Sequence, residues 1–255
     1  MRKMTGVMLE DMTWVEIRDA IAAGKRSAVL AVASMEQHGP ALPIKTDAML
    51  GRGMGRALAL ELGDALVAPV VYPGCSGHHE TWPGTLSLSA ELLGELVGAF
   101  VEGLARSGFE EIVLFPSHGG NFEPLREMLP GIRGRAGNAE VVDLLDFGSL
   151  LDTWFEVIER HGWTDRTPPH ADIIETSIVM YLEPEAVRVE MMEAGFVGTP
   201  DLGELLDRGL AAFTDNGVLG DPRGATPQLG EELIDAWVCV AAEEIRRRRE
   251  ERSEF

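Results

Sequence analysis

Cysteine is nearly absent from this sequence: only Cys75 and Cys239 occur, with no Cys-x-x-Cys spacing. That excludes a disulfide framework and a four-cysteine zinc site, suits a reducing compartment, and leaves any metal to His and carboxylates. Basic residues are scarce too. The 22 Lys and Arg face 42 Asp and Glu, giving a formal charge of −20 and a pI near 4.6. Broad binding to phosphate backbones is thereby excluded, and no nucleic-acid partner is expected. No apolar run approaches the ~18–20 residues of a membrane span, the longest being strand-sized. Arg2 and Lys3 lead into Glu10, Asp11 and Glu16 rather than an apolar core with a cleavage site. No signal peptide is visible, and a soluble, cytoplasmic protein is expected.

There is also no repeat, low-complexity tract or Pro/Ser-rich linker to divide the chain. With 255 residues, 45% hydrophobic and 25% charged, the composition is that of a globular protein. A chain this long buries roughly 70–75% of its unfolded surface as one α/β unit, and a single domain over residues 1–255 is expected.

Short β-type runs alternate with helical patterns. Residues 28–33, 65–71 and 111–115 are near-continuous apolar stretches, the pattern of strands buried on both faces of a parallel sheet. Ser89 is placed to cap a helix with Leu92, Leu93, Leu96, Phe100 and Leu104 at helical spacing, ending at Gly108. Thr226 and Pro227 open another that runs through Leu233, Trp237 and Ile245 to an Arg-rich tail, read as a solvated helix end. Strands alternating with helices predict an α/β fold with a mostly parallel sheet, and in such sheets ligands gather beyond the carboxyl ends of the strands.

Those post-strand segments carry the unusual chemistry. Glu36, His38 and Asp47 follow the first strand, on a loop stiffened by Pro40 and Pro43. His78 and His79 precede Trp82-Pro-Gly-Thr85 after the second, and His118-Gly-Gly-Asn121 follows the third. A fourth segment sets His170 five residues before Glu175, where a loop becomes a helix. Five of the six histidines fall in these segments, and only His161 stands apart, so a metal site of imidazoles and carboxylates is indicated. Competing motifs fail. Gly51, Gly53 and Gly55 lack dinucleotide-loop spacing and suit close helix packing instead; no P-loop, G-x-S-x-G elbow or H-E-x-x-H helix is present.

The set Glu36-Gln-His38-Gly-Pro, Asp47, His79 before Trp82-Pro-Gly-Thr85, His118-Gly-Gly-Asn121 and His170 with Glu175 resembles the creatininase family, or creatinine amidohydrolases. Gly217 to Pro222 is similar to that family's Gly-Asp-Pro segment. The resemblance implies a three-layer α/β/α sandwich with two divalent metals (Zn, Mn or Fe), often a hexamer, acting on a small-molecule substrate. It makes Glu36, His38, Asp47, His118 and Glu175 the metal ligands, with Asp47 bridging, and the nucleophile a hydroxide held by the metals. His170 is the expected general acid for the leaving nitrogen, with Glu175 as base the alternative to its ligand role. Gly119, Gly120 and Asn121 are expected to donate to the developing oxyanion, and His79 to shape the pocket.

The expected reaction is hydrolysis of a cyclic amide or formamide C–N bond in a small polar molecule. Peptide trimming in cofactor maturation, and a non-catalytic metal-containing binding protein, are the alternatives. Six positions depart from the family pattern. Gly119 and Gly120 stand where creatinine-hydrolysing members carry Tyr and Glu, Ala41 where a second His is common, Pro116-Ser117 where Asn-Gly is usual, and Asp172 where Gly is usual. The Gly-Gly form resembles members acting on formamidopyrimidine-type compounds.

Overall fold

The computed structural model describes residues 6–198 and 202–253. In chain order the main elements are α1 (Trp14–Ala22), β1 (Ser27–Val32), α2 (Thr46–Leu62), β2 (Ala65–Val67), α3 (Ala90–Arg106) and β3 (Glu111–Pro116). They continue with α4 (Phe122–Gly134), β4 (Glu140–Asp143), α5 (Phe147–Arg160), α6 (Ile173–Leu182), α7 (Leu202–Arg208) and α8 (Pro227–Ser253). The four strands are all parallel, in the order β2-β1-β3-β4.

Successive strand residues point to opposite faces, so each apolar strand supplies two cores. Val29 and Ala31 of β1 with Val113 and Phe115 of β3 pack under α2, α5, α6 and α8. Ala28, Leu30 and Val32 with Ile112 and Leu114 pack under α1, α3 and α4. Helices thus cover both faces, the three-layer α/β/α arrangement. Leu30, Ile112 and Leu114 are wholly buried, each worth about 1.5–3 kcal/mol relative to exposure.

The helix signals act as expected. Ser89 Oγ accepts from Leu92 N–H at the start of α3, and Thr226 Oγ1 accepts from Leu229 N–H at the start of α8. Gly51 of α2 lies where a Cβ would come within 2.6 Å of Ser117 Oγ, and at Gly53 it would meet Leu182, so the glycines do serve close packing.

Two strands differ from expectation. Regular pairing of β2 stops at Val67 rather than continuing to residue 71, because Pro69 has no N–H for the ladder. The chain still follows β1, with Ala68 N–H donating to Val29 and Val71 N–H to Ala31. β4 carries no strong sequence signal: only Val141 and Val142 are buried between two acids at the sheet edge.

The Arg-rich tail of α8 is not simply solvated. Arg249 reaches Glu111 at 2.7 Å, Ser27 at 2.7 Å and Asp64 at 3.3 Å, and Arg252 reaches Glu111 and Glu140. These partners sit at the amino ends of the four strands, so the tail clasps the sheet at the end away from the histidine loops.

Candidate metal centre

Beyond the carboxyl ends of β1 and β3 the four predicted segments converge. Glu36, His38 and Asp47 are 1% exposed and His118, Glu175 and His170 are 5–7% exposed, which buries three carboxylates together. Asp47 enters from the first turn of α2 and Glu175 from the first turn of α6. Asp172 caps α6 by accepting from Ile174 N–H at 3.0 Å and Glu175 N–H at 3.2 Å.

Asp47 is the hinge of the arrangement. Its Oδ1 lies 3.2 Å from His38 Nε2, and its Oδ2 lies 3.3 Å from His118 Nδ1. His38 Nε2 is also 3.5 Å from Glu175 Oε2, and His118 Nδ1 is 3.3 Å from Glu36 Oε1. Two donor sets result, Glu36–Asp47–His118 and His38–Asp47–Glu175, each with ligand atoms within 4.8 Å of one another and with Asp47 common to both. A third set joins Glu36, His38 and His170.

The remote nitrogens are fixed by backbone carbonyls. His38 Nδ1–H donates to Glu36 O at 3.2 Å, and His118 Nε2–H donates to Cys75 O at 3.0 Å, so both rings turn a lone pair inward, as metal-binding imidazoles do. His170 follows the same pattern, its Nε2–H donating to Gln37 O at 2.9 Å and its Nδ1 facing Glu36 Oε1 at 3.7 Å.

The electrostatics call for positive charge. Glu36 Oε2, His38 Nε2 and Asp47 Oδ2 are buried without a hydrogen-bond partner. Burial alone would lower the His38 pKa, but the charges of Asp47 and Glu175 outweigh it and push it up to about 10. His118 is likewise raised against its burial by Glu36 and Asp47. Burial would raise Asp47, but His38 and His118 hold it below the carboxylate range. Burial lifts Glu175 to about 7 despite the opposing charge of His38. Without another cation the two imidazoles hold protons against three carboxylates, charge that a bound cation would replace. Ligand atoms of Glu36, His38 and Asp47 left without hydrogen bonds, and three buried carboxylates facing only two imidazoles, together fit divalent cations.

A cavity of about 270 Å³ opens onto this cluster. His78, His79, Gly119 and Gly120 line it with Glu36, Asp47, His118, His170 and Glu175. His79, expected to shape the pocket, directs Nε2 at Glu36 Oε1 from 3.3 Å. Asn121 lies behind the wall: its amide donates to Val32 O and Ala33 O and accepts from Cys75 N–H, so its side chain is committed to joining the loops and not to an oxyanion. Ala41 is buried, its carbonyl accepting from Arg188 N–H, and Ser117 Oγ donates to Asp47 O at 2.8 Å, bracing the start of α2.

Sequence reasoning missed several parts. His78 lies stacked on His118 at 5.7 Å, and burial with the nearby His118 charge lowers it to about 3. Much of the remaining lining is apolar, from Phe122, Phe147, Leu205, Leu206, Leu210 and Leu219, with Glu123 and Arg126 among them. Leu205 and Leu210 come from the Gly-rich excursion, whose apolar spacing was the one available signal. A larger hollow of about 940 Å³ beside β4 contains no histidine and meets the first at Phe122 and Arg126.

The creatininase family, described as creatinine amidohydrolase, matches residues 10–245. This chain belongs to the creatininase family. It is 32% identical over 229 residues to the mycofactocin precursor peptide peptidase of Mycolicibacterium smegmatis, covering 85% of this chain and 83% of that protein. It is 24% identical over 254 residues to the creatinine amidohydrolase of Pseudomonas putida, covering 94% and 96%. Among solved structures, a mutant creatininase described as Zn-Zn type superposes with a TM-score of 0.78 at 26% identity, covering 96% of this chain and 98% of that one. Creatininases are metal-dependent hydrolases; this chain is accordingly a hydrolase acting on C–N bonds, with clustered side chains able to hold a metal ion. Among the described residues no helix is long and apolar enough to cross a membrane.

Proposed function

We propose that this creatininase-family hydrolase binds two divalent cations, one in each donor set joined by Asp47, and cleaves an amide bond in a short peptide or peptide-derived molecule. The observation that supports the metal assignment is the division of Asp47, one oxygen beside His38 and the other beside His118, in two donor sets that Glu175 and Glu36 complete. Glu36, His38, Asp47, His118 and Glu175 hold the cations; zinc, manganese and iron all suit the donors. When bound, the cations supply an activated water at neutral pH and polarise the scissile carbonyl.

The protein's own groups complete the reaction. The apolar wall from Phe147 to Leu219 receives a side chain beside the scissile bond and excludes water from it. As the carbonyl carbon becomes tetrahedral, the backbone N–H groups of Gly119 and Gly120 at the cavity edge face the charged oxygen. His170 moves the proton at Nδ1, since its Nε2–H is engaged by Gln37 O. It takes a proton from the attacking water and returns it to the amide nitrogen as the C–N bond breaks, leaving a carboxylic acid and an amine, between which a proton passes to give a carboxylate and an ammonium group.

The peptide reading draws support from the apolar wall and from 32% identity to a precursor peptide peptidase against 24% to a creatinine amidohydrolase. A small cyclic amide or formamide is the second reading, favoured by the TM-score of 0.78 to a creatininase. The assembly of a single-domain chain into a hexamer in a reducing cytoplasm belongs to the same proposal and rests on the family. The test is to load purified protein with zinc or manganese, count metal, and assay short peptides beside lactams and formamides. Peptide turnover that disappears in Asp47→Asn supports the first reading, and turnover of lactams or formamides alone selects the second. Full metal loading with no turnover of any substrate would favour a binding protein.

A further inference from the structure

Gln37 lies between two residues of the proposed metal centre and is 6% exposed, yet its side chain does not point away from the site. Its Oε1 accepts from Gly39 N–H at 2.9 Å, and its Nε2 lies 3.1 Å from Gly217 O, 3.0 Å from His79 Nδ1 and 2.9 Å from His170 Nε2. Gly39 N–H can only donate and Gly217 O can only accept, so these two neighbours fix which end of the amide is oxygen. The –NH2 has two hydrogens for three neighbours. His170 Nε2 is itself a donor, giving its proton to Gln37 O at 2.9 Å, so the amide hydrogens go to Gly217 O and His79 Nδ1.

The consequence falls on His79. An Nδ1 that accepts requires the ring proton on Nε2, and that N–H faces Glu36 Oε1 at 3.3 Å. With the opposite tautomer a lone pair would face the Glu36 carboxylate in a buried site. The same amide holds Gly217, two residues before Leu219, whose N–H donates to His170 O at 2.9 Å. Gly217 itself has φ 77°, and a Cβ there would sit 2.0 Å from Gln37 Oε1, so the contact leaves no room for another residue. We infer that Gln37 is a positioning residue: its amide selects the Nε2–H tautomer of His79, which steadies Glu36, and anchors the segment that carries His170.

This rests on the reading of Glu36 and His170 given above, but its main test does not need turnover. Long-range proton–nitrogen NMR of the imidazoles in the full-length protein is expected to show the His79 proton on Nε2. In Gln37→Glu, which can only accept, it is expected on Nδ1. In Gln37→Met, an apolar side chain of similar length, His79 is expected to populate both tautomers. With metal content at the wild-type value, kcat should fall about 10- to 100-fold in both variants while KM stays within about threefold. A wild-type His79 protonated on Nδ1, an unchanged tautomer in Gln37→Glu, or kcat within about twofold of wild type overturns the proposal. The wild-type spectrum alone decides the point if neither variant folds. Wild-type protein that neither binds metal nor turns over any substrate, while His79 keeps Nε2–H, would instead count against the proposed function and leave Gln37's role standing.

Discussion

His118 Nε2–H meets the carbonyl oxygen of Cys75 at 3.0 Å, and both atoms lie 2.5 Å from where a Cβ on Gly120 would stand. The bond that turns the His118 lone pair inward therefore exists only because residue 120 has no side chain. Gly120→Ala should displace the ring, lower metal content from two per chain toward one, and cost about 1–3 kcal/mol through overpacking. Elemental analysis with a thermal melt checks this. Full metal loading in Gly120→Ala would show that the ring tolerates the methyl group.

The folded chain shows which parts of this site a sequence can reveal. Apolar strands and capped helices announce themselves by local pattern, so Leu30, Ile112 and Ser89 were legible, and with them the sheet edge where Glu36, His118 and Glu175 gather. Gln37 was not, because its importance lies in three contacts from remote segments, at His79, His170 and Gly217. The lining of Leu205 and Leu210 joins the cavity only after a long excursion folds back. Pro69, by contrast, was a readable local signal that Val67 ends regular pairing, outweighed by the apolar run around it. The Arg249 tail looked like any charged helix end until its partners at the strand starts were placed.

Asp172 is buried and its carboxyl is raised well above its ordinary range, by burial first and then by the charge of Glu175. Its side chain nevertheless caps the helix that presents Glu175. Asn caps as well as Asp without the buried charge. Asp172→Asn should therefore match or exceed wild-type stability, whereas Asp172→Ala should lose about 0.5–2 kcal/mol. Denaturant titration of the two variants distinguishes capping from charge. Equal stabilities would remove the cap from the account of Glu175.

Glu111 has the opposite displacement. Burial would raise its carboxyl, but hydrogen bonds from Arg249 and Arg252 and the Arg249 charge hold it below the ordinary value. A depressed folded pKa means that the unfolded chain takes up the proton first. The stabilisation is complete above the unfolded carboxylate range near ~4.3 and declines as pH falls through the lower folded value. Glu111→Gln should cost on the order of 2 kcal/mol near pH 7, discounted because both arginines are partly solvated. Melting curves from pH 7 down to about 3 should show wild type and variant converging in acid. A gap that stays constant across that range would mean the ionised pair contributes nothing specific.

Cation binding should be visible in stability as well as in turnover. Glu36, Asp47 and Glu175 face one another in a buried site, and two of the orphaned polar atoms belong to Glu36 and Asp47. A chelator is expected to lower Tm, and zinc or manganese at about 100 times its Kd to restore about 2.7 kcal/mol. Asp47→Asn should show neither response, since it removes the carboxylate common to both donor sets. A wild-type Tm indifferent to chelator would argue against resident cations.

His170 has two possible employments, and a single substitution separates them. Its Nδ1 stands 3.7 Å from Glu36 Oε1, close enough to form a donor set with Glu36 and His38, yet those two residues also belong to the sets joined by Asp47. The two Asp47 sets are complete without His170, and Gln37 O holds its Nε2–H so that Nδ1 remains open to the cavity. A residue that only transfers the proton can be removed without loosening the cations. His170→Ala should therefore lower turnover by about 10²- to 10⁴-fold with metal content unchanged. Measuring both on the same preparation is essential, because loss of turnover alone fits either role. If the alanine variant sheds metal in step with activity, His170 is a ligand and the proton must be carried by another group, with Glu175, whose carboxyl burial lifts to about 7, the next candidate.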